Sequence, residues 1–192
     1  MSSALQKTLC FNCGVATADA LPGLIWSKLR EQVERAQHLL GLVPPDQLDW
    51  RPEMPAEGGR APLPLGEVLG HLLECLAGFC ATLYAIDPQR LAHFARLRER
   101  QVNHRCEIEE ARERIREYMR HIEEGFTVIS DADLARRIPT VFVPEGEPVL
   151  TLLLCNFEHF INHKHQLFFY LKMLGVPVGT SDLYKLRGSQ KA

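Results

Sequence analysis

The sequence predicts an all-α fold, a four-helix bundle, on three observations: four long stretches of helical periodicity, little strand signal and no internal repeat. Asp19 and Pro22 mark a helix start, after which Leu24, Ile25, Leu29, Val33, Ala36, Leu39 and Leu40 recur at helical spacing as far as Gly41. Residues 43–64 then hold six prolines, from Pro44 to Pro64, with Gly58 and Gly59, a density that forbids regular helix or central strand. This is a long connecting loop, with Leu48 and Trp50 available to pin it to the core. From Leu65 to Ile86 the chain is apolar on nearly every side, and Glu67, His71 and Glu74 are its strongly polar side chains. That is a helix buried on most faces. Between Gln101 and Ser130 an amphipathic pattern follows, with Ile108, Ala111, Ile115, Met119, Ile122 and Phe126 on one stripe. The pairs Glu109–Arg112 and Glu110–Arg114 make the remainder a solvated, charged face. Thr140 to Pro144 reads as a short extended stretch, and Glu147 and Pro148 open the last long helix. It runs to about Leu174, where Gly175 serves as a C′ glycine and Pro177 prevents continuation.

Composition sets the class. With 46% hydrophobic and 24% charged residues, the 192-residue chain can bury one core, which implies one domain over residues 19–188 behind a flexible N-terminal arm over 1–18. A net charge of −2 without long like-charged blocks argues against nucleic acid as a partner. The longest uncharged apolar stretch, Cys75 to Ile86, falls short of the roughly 20 residues that cross a bilayer, so no membrane association is expected. Met1 to Ala20 carries one lysine and no continuous apolar region, which does not read as a secretory signal and implies a cytoplasmic protein. Cys75, Cys80 and Cys155 lie inside apolar helical runs and read as reduced core residues. Cys10 and Cys13 have the spacing of half a zinc site or of a redox pair, but no second such motif completes four ligands.

The candidate chemistry rests on histidines. His159 and His163 are four apart in the last helix, which puts both imidazoles on one face, and Leu152, Cys155, Asn156, Phe160, Leu167 and Tyr170 on the same side direct that face inward. His71 sits between Gly70 and Leu72 in the apolar second helix with few local partners. Three imidazoles from two facing helices can hold one divalent ion and leave coordination positions for water or substrate. They can equally be core histidines, each satisfied by one donor and one acceptor. Cys75 lies one turn beyond His71 and Cys155 one turn before His159, so either thiol is a further ligand candidate or a small core residue. His38, His93, His104, His121 and His165 read as surface residues.

Two segments carry a resemblance. Pro62-Leu-Pro-Leu-Gly-Glu-Val-Leu-Gly-His71-Leu-Leu resembles the second-helix motif of the DinB-like superfamily, in which a histidine closes a short leucine-rich run. The segment from Asn156 to Gly175, with His159, His163, Gln166, Tyr170 and Leu174, resembles that family's last-helix motif, and Leu48-Asp-Trp-Arg-Pro52 resembles the stretch before its second helix. The similarity spans roughly residues 20 to 186, and departs from the family at Lys164 and His165, where Arg-Gly is common. What the resemblance implies is an up-down-down-up four-helix bundle, a divalent ion on His71, His159 and His163, and a homodimer. It also implies a thiol-dependent transferase acting on a small molecule through a metal-bound thiolate, with zinc or nickel as the ion and a low-molecular-weight thiol as co-substrate.

Two other functions stand beside this expectation: a hydrolase using metal-bound water, and a non-catalytic bundle stapled by its metal. Gln166, Asn156 and Tyr170 are the candidates to orient ligands or substrate from behind. Glu74 and Glu158 are the carboxylates nearest the triad in sequence, and both are expected to face outward.

Overall fold

The computed structural model describes residues 20–53, 61–140 and 143–184. The arm with Cys10 and Cys13, and the middle of the Thr140–Pro144 stretch, lie outside the described residues.

Four long helices dominate: α1 (Leu21–Leu40), α2 (Leu65–Ile86), α3 (Ile108–Val128) and α5 (Val149–Met173). Two short α-helices, α4 (Asp131–Leu134) and α6 (Thr180–Leu183), and two 3-10 helices, Pro45–Gln47 and Ala92–Glu99, accompany them among the described residues, and a two-residue ladder pairs β1 (Arg137–Ile138) antiparallel with β2 (Glu147–Pro148). Packing follows the order α1, α3, α2, α5 and back to α1, so that each long helix touches two others. The core is one apolar cluster that includes Leu29, Val33, Leu72, Phe79, Ile115, Phe160 and Leu167.

The punctuation in the sequence sets most boundaries. Pro22 opens α1, and the Leu21 amide donates to the Asp131 carboxylate of α4 at 2.9 Å, a cap supplied from across the fold. The proline loop is pinned as expected, by Leu48 buried in the core and Trp50 set edge-on against Tyr170 of α5 at 5.4 Å. At the far end of α5, Gly175 takes φ +79°, its amide donates to Lys172 and that of Val176 to Leu171. These are the two bonds of a Schellman closure.

Helix α2, packed against both α3 and α5, is the described helix long and apolar enough to cross a bilayer by length and composition. Its apolar character is used for burial here, since Leu65, Leu69, Leu72, Leu73, Leu76 and Phe79 are all enclosed.

One boundary differs from expectation. Helix α3 begins at Ile108, and residues 101–107 instead lie across α2, where the Asn103 amide donates to the Gly70 carbonyl and the Cys106 amide to that of Gly66. Asn103 turns the chain with φ +57°, a left-handed conformation that asparagine tolerates better than most residues. The approach is so close that a Cβ on Gly70 would stand 2.1 Å from the His104 carbonyl oxygen.

Cysteines and histidines divide differently from the reading above. Cys75 and Cys80 are buried, but Cys155 is exposed, because α5 turns Leu153, Phe160, Lys164, Leu167 and Leu171 inward and leaves Cys155 on the open side. His121, read as a surface residue, is buried, its Nδ1 at 2.7 Å from the Glu117 carbonyl and its Nε2 accepting from Arg96 at 3.0 Å. His104 is half-buried, and Arg114, assigned to a solvated face, is almost wholly enclosed.

Candidate metal centre

His71 on α2 meets His159 and His163 on α5, and their ligand nitrogens lie within 4.8 Å of one another. The rings of His71 and His163 stack with centroids 4.8 Å apart and planes inclined by 25°, and those of His159 and His163 stand 4.7 Å apart. Nε2 of His159 and Nε2 of His163 are separated by 2.9 Å, so both rings aim the same atom at one point. The cluster sits at the surface of the α2–α5 seam and not in the core, with His71 and His163 half-buried and His159 exposed.

A chain of hydrogen bonds fixes the state of His163. The Leu63 carbonyl can only accept, so the Tyr170 hydroxyl donates to it at 3.0 Å and must itself accept from Gln166 Nε2, also at 3.0 Å. Gln166 therefore presents Oε1 to His163 Nδ1 at 2.9 Å and accepts its proton. That leaves His163 Nε2 unprotonated where the three rings converge, its lone pair accepting from His159 Nε2 at 2.9 Å, the tautomer a ligand needs. Burial holds the His163 imidazole below its usual pKa, with further lowering from His159 and His71 and opposition from Gln166 and Glu74. The neutral form that a cation needs is thus the favoured one.

His71 has a partner within reach. Its Nδ1 lies 3.2 Å from Glu74 Oε2 but out of line for a hydrogen bond, and it is otherwise buried without a partner. Glu74, expected to face outward, thus stands beside the cluster; its place at i+3 from His71 was the available signal. Glu158 is exposed, as expected. Of the residues expected to support the triad, Gln166 and Tyr170 join it. Asn156 does not: its side-chain amide donates to the Leu152 carbonyl and to Thr82 Oγ1, tucked against Gly78 where α2 and α5 touch. Neither Cys75 nor Cys155 belongs to the convergent set.

With this geometry in place, the family assignment follows from comparison with known proteins. Residues 28–167 match the family model of the DinB superfamily, well over half the chain. The chain belongs to the DinB superfamily. A crystal structure of a DinB-like protein from Bacillus subtilis superposes with a TM-score of 0.61 at 17% identity, over 84% of this chain and 99% of that one. At that identity the likeness speaks for a shared DinB-like, mostly helical fold. Comparison with functionally curated proteins gives no match. The matched segment of the DinB model contains His71, His159, His163 and Gln166, so the cluster lies within the region that defines membership.

Proposed function

We propose that this DinB-superfamily protein is a divalent-metal-dependent enzyme with His71, His159 and His163 as ligands, and that it transfers a small thiol to a small-molecule substrate. The observation that supports this most is the pairing of a convergent, surface-open set of three imidazoles with a hydrogen-bond chain that keeps His163 Nε2 unprotonated. Three nitrogens suit zinc, or nickel as the alternative, and no fourth protein ligand closes the group among the described residues. When bound, such an ion lowers the pKa of a thiol or of water enough to make a nucleophile at neutral pH.

The chain's own residues have distinct tasks in this scheme. Gln166 holds His163 in one tautomer, and Tyr170 holds Gln166 in one amide orientation. Glu74 is placed to take the Nδ1 proton of His71 into a hydrogen bond after a small rotation, which would raise the basicity of the opposite nitrogen. The same carboxylate favours a second reading, a metal-dependent hydrolase in which Glu74 accepts a proton from water.

The four long helices are proposed to run up-down-down-up as a bundle, and the protein to be a cytoplasmic homodimer. Buried free thiols at Cys75, Cys80 and Cys106 suit a reducing compartment, and the exposed Leu154, Phe169 and Met173 of α5 give a partner subunit apolar surface to cover.

Metal content measured by mass spectrometry on protein purified without a metal-binding tag tests the centre. Zinc or nickel in the parent, with one equivalent fewer in His71→Ala, His159→Ala or His163→Ala, is the expected result. A folded protein that stays metal-free after zinc is added overturns it. Thiol consumption in the presence of electrophilic substrates then separates the transferase from the hydrolase.

A further inference from the structure

We propose that His104, Cys106 and Glu110 form a second cation site, distinct from the three-histidine cluster and suited to a borderline-soft divalent ion of the zinc class. Their ligand atoms lie within 4.8 Å of one another, with His104 Nε2 2.9 Å from Glu110 Oε1. Nitrogen, sulfur and oxygen together select zinc over calcium or magnesium.

The backbone builds this arrangement. Asn103 in its left-handed turn and the Cys106 amide bonded to Gly66 hold the loop on α2, so that His104 and Cys106, two apart, face the first turn of α3 where Glu110 stands. Because the loop is seated against Gly70, these side chains are fixed before any ion arrives. His104 Nδ1 is buried with no partner, and Cys106 is fully buried, so neither group is a solvated surface residue collected by chance.

A cavity of about 300 Å³ opens beside the cluster. Its charged lining is Glu99, Glu110, Glu113 and Glu117 against Arg100 and Arg114, an excess of carboxylates that draws in a cation and leaves a position for water.

Arg114 is the competing charge. It lies 3.3 Å from Glu110 Oε1, but it also donates to the Gln101 carbonyl and to the Tyr118 hydroxyl, and these partners keep it in place when a cation takes a share of the carboxylate. Ligation releases one proton from Sγ to solvent, and the thiolate with the Glu110 carboxylate balances the two charges of the ion.

The test is a cobalt titration of the full-length protein, because a thiolate ligand gives sulfur-to-cobalt charge-transfer absorption in the near ultraviolet and an all-histidine site does not. The expected result is such absorption, saturating at one equivalent when the three-histidine centre is removed by His159→Ala, lost in Cys106→Ser and requiring about tenfold more cobalt or worse in Glu110→Gln. It should persist in the Cys10→Ser/Cys13→Ser, Cys155→Ser and His159→Ala variants, which separates it from the N-terminal cysteines and from the proposed catalytic centre. Absence of the absorption, or its survival in Cys106→Ser, overturns the proposal. Glu110→Gln keeps the test decisive if Cys106→Ser fails to fold: unchanged cobalt affinity in that variant also overturns it.

Discussion

Gln166 Oε1 accepts from His163 Nδ1 at 2.9 Å, and through this contact a residue that does not face the convergence point decides which nitrogen of His163 does. Replacing Gln166 with leucine frees the ring to take either tautomer. Zinc affinity, measured by competition with a chromophoric chelator, is expected to fall about 10- to 100-fold. Tyr170→Phe keeps the ring against Trp50 but strands the Leu63 carbonyl and releases the Gln166 amide, so a smaller affinity loss should come with destabilisation of about 1–3 kcal/mol. If both variants bind zinc as the parent does, the relay has no bearing on ligation.

Gly70 is where the His104 loop meets α2. A methyl group there would stand 2.1 Å from a backbone carbonyl, which no side-chain rotation relieves. Gly70→Ala should therefore cost about 1–3 kcal/mol and lower the thermal midpoint by several degrees. An unchanged midpoint would mean that the loop lies further from α2.

Acid should weaken the clasp of α6 on α1. The Gly179 amide, followed by His38 at 2.6 Å, holds the Asp182 carboxyl below the usual carboxylate range. A carboxyl depressed in the folded state stabilises the fold above its unfolded pKa, and that contribution disappears as pH falls through the folded value. Thermal midpoints of the parent and of Asp182→Asn should differ at neutral pH, begin to draw together below about pH 4, and meet only once pH is below the folded value. A gap that persists in acid would assign the effect to shape and not to charge.

Thiol reactivity should sort the cysteines by burial. Burial raises the pKa of Cys75, Cys80 and Cys106, whereas Cys155 is exposed. Alkylation of the native protein at neutral pH, read by peptide mass mapping, should modify Cys155 at least tenfold faster than these three. Equal rates would place Cys155 in the interior, as its sequence context suggested.

That last contrast shows where the sequence was legible. Helix ends were, because Pro22, the proline loop and Gly175 act locally and need no tertiary partner. The support of His163 was too, since Gln166 and Tyr170 follow at helical spacings of three and four. The orientation of α5 was less so: with Leu154, Phe169 and Met173 exposed and Phe160, Leu167 and Leu171 buried, its apolar residues surround the axis and periodicity does not single out the inner face. Asn156 and residues 101–107 were illegible for a different reason. Their partners, Thr82 and Gly78 in one case and Gly66 and Gly70 in the other, lie far away in the chain.

The exposure of His159 beside two half-buried partners bears on how the protein would acquire its ion. An ion approaching over His159 would meet the α2–α5 seam from solvent, with the helices already packed beneath it. Loading would then be an exchange with the surrounding metal supply and not a step of folding, and the identity of the occupant would follow which ion the cell keeps available.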